Sequence, residues 1–171
     1  MKKLEPWEEL TRQLEASLAD GASHSEPVIE AKEHLDVGAV RLDIVVEASG
    51  PSEPEQRAGF ATVCDLLRAR RQQGSSQVLG CLLIDGEPNA SAFASGLEGM
   101  RSEDGFTPVI PVTRDRAKVM LDAQASLFEF VDRSTQLIDI AASRESINDE
   151  VSATALMEID ELVERSIEES R

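Results

Sequence analysis

Gln77-Val78-Leu79-Gly80-Cys81-Leu82-Leu83-Ile84 is the stretch on which the fold turns. After Gln77 every residue is apolar or glycine. A strand with one wet face would alternate apolar and polar side chains. This run does not, and it predicts an interior strand covered on both faces. The segment before it supplies a cover. Phe60, Val63, Cys64 and Leu67 recur at i, i+3, i+4 and i+7, which predicts a helix over 54–71 with one apolar face. Ser52 and Glu55 stand at capping-box spacing at its start, and Arg68, Arg70 and Arg71 suit the negative end of its dipole.

Further toward the N-terminus, Val40, Leu42, Ile44 and Val46 alternate with Arg41, Asp43, Val45 and Glu47. This pattern predicts a strand over 39–48 with one solvated face, on which Arg41 and Asp43 pair in the open. A shorter strand over 27–34, centred on Val28 and Ile29, precedes it across a turn at Asp36-Val37-Gly38, and the two form a hairpin. Residues 5–18 carry Trp7, Leu10, Leu14 and Leu18 at helical spacing.

On the other side of the central run, Asp85-Gly86-Glu87-Pro88 turns the chain. Asn89 then caps a short helix bearing Phe93, Leu97 and Met100. Residues 105–112 read as an edge strand, because Pro108 and Pro111 cannot donate ladder hydrogen bonds. A long helical segment follows from Asp115 to about Ala142. A last helix over 149–170 spaces Leu156, Ile159, Val163 and Ile167 by three, four and four. The expected architecture is α/β: a mixed sheet with an N-terminal hairpin and strand–helix–strand crossovers, plus C-terminal helices. Residues 1–112 form the α/β core with its N-terminal helix. Residues 113–171 form a helical extension, packed on the core or used for association.

The 171 residues hold 17 Lys and Arg against 33 Asp and Glu, a net charge of −16. Duplex binding draws on cations displacing counterions, so nonspecific nucleic-acid binding is disfavoured. Trp7, five Phe and no Tyr offer no base-stacking surface. Arginine outnumbers lysine 13 to 4. That balance suits a high-salt cytoplasm, a GC-rich genome or an acidic face for a basic partner, and the residues leave all three open. No apolar run approaches the ~20 residues that span a bilayer, and the start has no signal-peptide apolar stretch. The expected location is the cytoplasm. Cys64 and Cys81 sit in apolar runs without a CxxC pair and read as small buried hydrophobes.

Phosphate-cradling GxxxxGK[ST] and GxGxxG loops, GxSxG and HExxH are all missing. One constellation remains. Glu30, Glu33, Asp36, Asp43 and Glu47 crowd the hairpin, and converging carboxylates can hold Mg²⁺ or Mn²⁺. Strand 41–48, capped helix 54–71, apolar strand 77–84, the short helix and the final strand resemble the core of PD-(D/E)XK restriction-endonuclease-like proteins over roughly residues 27–112. The resemblance implies a metal-binding pair, Asp36 and Glu47, as the catalytic acids. Ser49 then stands where that family has lysine. A second register, Asp20 with Glu30 and Lys32, keeps a literal E-x-K.

Two functions follow from these residues. One is a non-catalytic accessory or interaction protein on a restriction-endonuclease-like core. Its C-terminal helices then dock a protein partner or a second copy through Leu156, Ile159, Val163 and Ile167. The other is a nuclease dependent on Mg²⁺ or Mn²⁺, acting on DNA or RNA, with Arg68, Arg70 and Arg71 contacting phosphates. A third, an acidic mimic of nucleic acid, has only the composition behind it.

Overall fold

The computed structural model describes residues 6–20, 27–34, 41–74, 77–102 and 105–171, and along 27–34 the backbone alone. The apolar run is strand β3 (Gln77–Ile84). It lies inside a four-stranded sheet of order β1-β2-β3-β6, where β1 is Pro27–His34, β2 is Arg41–Ser49 and β6 is Val109–Thr113. β2 and β6 flank β3 in parallel, and β1 closes the sheet antiparallel to β2. The mixed α/β sheet with an N-terminal hairpin is therefore the architecture. The expected turn at Asp36-Val37-Gly38 lies outside the described residues.

Helices cover both faces. Helix α2 (Glu53–Gln72) joins β2 to β3, and α3 (Ala90–Met100) packs beside it. Helix α1 (Pro6–Asp20) lies on the opposite face with α4 (Arg114–Asp122) and α5 (Leu127–Ala142). α2 starts where its capping box requires: Ser52 Oγ accepts from Glu55 N at 3.3 Å and donates to Glu55 Oε1 at 2.7 Å. Its Phe60, Val63, Cys64 and Leu67 are all buried, on the spacing that predicted the helix. The helix settles directly on the sheet because glycine stands at the contact. A Cβ on Gly80 would meet Val63 Cγ1 at 2.5 Å and Leu67 Cδ1 at 3.0 Å.

Helix α6 (Asp149–Glu169) packs on α3 from one layer and on α4 and α5 from the other. It runs past the outer edge of β6 and joins the two layers there. Ser152 Oγ donates to the Ala90 carbonyl at the start of α3 and fixes this end of α6. One apolar cluster reaches from Leu10 of α1 to Ile167 of α6 and draws on residues either side of position 112.

Three expectations are corrected. Among its described side chains β2 has no solvated face: residues 43–49 are all buried, because α2 covers Asp43, Val45, Glu47 and Ser49 while α1 covers the other side. Asp43 is therefore not an exposed partner of Arg41. The strand expected over 105–112 is two pieces. β5 (Gly105–Phe106) pairs with β4 (Arg101–Ser102) in a separate ribbon, and only β6 joins the main sheet, at its edge as the prolines demand. The long helix over 115–142 breaks. α4 ends in a Schellman motif, with Gln124 in the left-handed region at φ 56° and Ala125 N–H donating to Met120 O at 2.9 Å. Ser126 then caps α5 by accepting from Glu129 N. Ser126 and Glu129 repeat the spacing of Ser52 and Glu55.

Two glycine substitutions test this packing in opposite directions. Gly80→Ala forces a methyl into Val63 and Leu67 and should lower unfolding stability by about 1–3 kcal/mol. A Cβ on Gly99, in the last turn of α3, meets nothing within 4 Å. Gly99→Ala should therefore raise stability by about 0.5–1 kcal/mol through helix propensity. Urea titration followed by circular dichroism separates the two signs.

Candidate functional site

Two of the carboxylates singled out in the hairpin, Asp43 and Glu47, are closed off from solvent. Glu47 is 0% exposed and Asp43 1%, both on β2 beneath α2. Both have polar interactions inside the fold. They stand four residues apart on one strand, about 13 Å at the usual rise, which is too far for one metal ion to hold both. Asp36 lies outside the described residues. Ser49, at the position of the family's lysine, is buried and its Oγ donates to the Gly50 carbonyl at 3.0 Å. In the second register, Asp20 ends α1, while Glu30 and Lys32 lie in β1, where the backbone register sets Lys32 opposite Asp43 and Glu30 opposite Val45. Among the described residues no group of three or more His, Cys, Asp or Glu is placed to hold a metal ion.

The arginines at the end of α2 are occupied by the fold. Arg68 donates to the Gly99 carbonyl in the last turn of α3, a helix with no basic residue of its own there. Arg71 donates to Thr107 Oγ1 at 2.7 Å and to the Phe106 carbonyl, pinning the segment between β5 and β6. Arg70 Nη1 donates to Gln73 Oε1 at 3.4 Å. Two of the three cations offered for phosphate contact thus hold the backbone of neighbouring elements.

The apolar stripe offered for partner binding packs largely against the chain's own core. Ile159, Val163 and Ile167 are buried, and Leu156 is half-buried at the margin. The buried face of α6 is centred on Ser152, Ala155, Ile159, Val163 and Ser166. Small residues there let α3 and α5 approach closely. What α6 leaves outside is Met157, 66% exposed, among carboxylates.

Beside that residue the structure opens a cleft of about 420 Å³, which the sequence reading missed. It lies at the carboxyl ends of β3 and β6, where open α/β sheets commonly place ligands. Pro88 from the loop after β3, Pro111 and Val112 from β6, and Leu156, Ile159 and Val163 from α6 make its apolar lining. Glu87, Thr113, Arg116 and Asp160 supply the polar groups. Gln56, fully buried at the start of α2, holds the loop in place. Its Nε2 donates to the Pro51 and Glu87 carbonyls, each at 3.0 Å, and its Oε1 accepts from Asn89 N at 2.7 Å. Arg116, in the first turn of α4, pairs with Asp160 at 3.4 Å and also with Glu164.

The cleft also borders the free edge of β6. Gly80 N–H donates to Pro108 O at 2.9 Å. Backbone polar groups alternate in direction along a strand, so Val109, Pro111 and Thr113 turn theirs away from β3. At the centre of that outer edge Pro111 has no N–H to offer.

No protein-family model matches the sequence, and no curated protein is detectably similar to it. Among solved structures, the chain is similar to the small subunit of the heterodimeric restriction endonuclease R.BspD6I. The likeness covers 89% of this chain and 86% of that one, at 14% identity and a TM-score of 0.48. No helix among the described residues is long and apolar enough to cross a membrane.

Both cysteines are buried and free. Burial pushes the Cys64 thiol up to about 11, with Arg68 opposing and Asp65 adding to the shift. Burial alone pushes Cys81 up to about 12. Neither thiol is an available nucleophile, since the thiolate is the reactive form. The unfolded chain ionises its thiols first as pH rises, from the ordinary value of 9.0. The stability these thiols contribute is whole below pH 9 and is lost as pH climbs toward 11 and 12. The unfolding free energy from urea titration should fall between pH 9 and 11 in the wild type, by at most about 1.4 kcal/mol per pH unit per thiol. A Cys64→Ala/Cys81→Ala variant should show a flatter profile.

Proposed function

We propose that this chain is a non-catalytic interaction protein, an α/β core that serves a protein partner and cleaves no phosphodiester bond itself. The observation that carries the reading is the complete burial of Glu47. A metal-activating carboxylate must exchange its metal, water and substrate with solvent, and general acid–base and metal chemistry both need that access. Ser49 supports the same reading. A hydroxyl held on the Gly50 carbonyl supplies no positive charge to a phosphoryl transition state. The net charge of −16 repels a phosphate backbone and favours a basic protein surface. Two buried reduced thiols accord with a cytoplasmic protein.

The alternative, a Mg²⁺- or Mn²⁺-dependent nuclease, has one observation in its favour. The register that sets Lys32 opposite Asp43 lays Glu30-Ala31-Lys32 along the strand that carries Glu47. In that reading the hairpin would hold the metal, and the metal would activate water.

An Mn²⁺ titration by calorimetry distinguishes the two, run at low and high salt on wild type, Asp36→Asn and Glu47→Gln, each also incubated with plasmid DNA and with RNA. The interaction reading expects weak binding, equal in the three proteins and screened by salt, with both nucleic acids intact. A stoichiometric site that survives salt and vanishes in either variant, together with Mn²⁺-dependent cleavage by the wild type, would overturn it. Asp36→Asn serves as the surface-independent control should burial make Glu47→Gln unstable.

A further inference from the structure

We infer that the cleft between α6 and the outer edge of β6 is the docking site for a partner protein, and that it takes two or three neighbouring apolar side chains bordered by lysine or arginine. The inference rests on the interaction reading above and names where and what that interaction recognises. The cleft's size comes first. About 420 Å³ falls in the ~300–1,000 Å³ range of clefts that take up ligand groups. Its lining is apolar on three sides, from the loop after β3, from β6 and from α6.

Charge selects the border of the occupant. Glu87, Asp160 and Glu164 stand around the cleft with Arg116 as the cation among them, and Arg116 is already paired with two of the three. Glu158, Glu161 and Glu168 lie exposed along the same helix, with Arg165 as the one exposed cation among them. The rim is therefore net negative and complementary to a basic segment. The same charge argues against a second copy of the chain. Two surfaces from molecules of charge −16 repel, and in the chain's basic run Arg68 and Arg71 are already held on the Gly99 and Phe106 carbonyls.

The edge of β6 selects the mode. Strand addition needs alternating N–H and C=O groups along a free edge. Pro111 removes the central donor, and α6 stands alongside, so an added strand has no ladder to join. Side chains entering from a helix or turn remain. Gln56 holds the Glu87–Pro88 wall through two carbonyl contacts and the Asn89 amide, so the cleft is formed before the partner arrives.

The test uses a displayed library of random 12-residue peptides, panned on the full chain, with the enriched peptides then measured on the wild type and on Met157→Glu. Met157 is exposed, so that variant should fold, and a thermal melt checks it. Enriched peptides should carry two or three apolar residues flanked by Lys or Arg. In methyl NMR they should shift Val112, Leu156, Ile159 and Val163. Met157→Glu should weaken them tenfold or more, although it makes the rim more acidic. That sign separates insertion from bulk charge attraction, which would strengthen binding. Tighter or unchanged binding to Met157→Glu, shifts centred elsewhere, acidic or no enriched peptides, or concentration-dependent shifts from self-association would each overturn the inference. None of these outcomes alters the Mn²⁺ result, so the inference and the reading beneath it fail separately.

Discussion

Val63 and Leu67 of α2 rest where a side chain at position 80 would otherwise stand, and much of the molecule is arranged around that contact. It brings a helix into direct contact with the central strand and buries β3 on the second of its two faces. With α2 seated there, Phe60 reaches α3, packing 5.5 Å from Phe93 and against Gly96. The first turn of α2 then delivers Gln56 to the carboxyl ends of β2 and β3. One amide side chain ties the loops that follow both strands, and a buried amide fully supplied with partners is a rigid joint. The wall of the cleft is set by a packing contact two to three helical turns away.

The same contact decides the fate of the acids on β2. A helix laid over Asp43, Val45, Glu47 and Ser49 takes two carboxylates out of water. Burying a carboxylate costs several kcal/mol unless the fold supplies partners, and both have them within the chain. A carboxylate so held is part of the interior and is not free to trade ligands. Asp43 and Glu47 are thereby withdrawn from the surface, while an apolar cleft with an acidic rim opens at the opposite edge of the sheet.

The arginines follow the same division. Arg68, Arg71 and Arg114 each reach carbonyls on other elements: Gly99, Phe106 and Ser17. Arg68 and Arg114 also pair with Asp65 and Asp85, so these side chains tie backbone and carboxylates together. The acidic excess itself comes from the composition, 33 Asp and Glu against 17 Lys and Arg.

Local patterns settled by themselves what depends on local physics. The apolar run 77–84, the stripe Phe60/Val63/Cys64/Leu67, the cap at Ser52 and the prolines of the edge strand all act through neighbours a few residues away, and the elements they predict are present. The break before Ser126 was equally legible, since Ser126 and Glu129 repeat the capping spacing, but an apolar stripe that continued past it masked the stop. Burial on β2 was not legible. Alternation of Arg41, Asp43 and Glu47 with apolar residues is identical for a wet face and for a face covered by a helix. The stripe on α6 was ambiguous for a related reason, because an apolar face looks the same whether it meets its own core or another chain. The cleft was invisible in the sequence. Its walls come from residues 87, 111, 116 and 157, which share no period and meet only when α6 crosses the edge of β6. Sequence determines which segments are helices and strands, because hydrogen bonding and side-chain spacing are local. Which acids are sealed and which surface stays open is decided by how the layers stack, since desolvation depends on everything that covers a group.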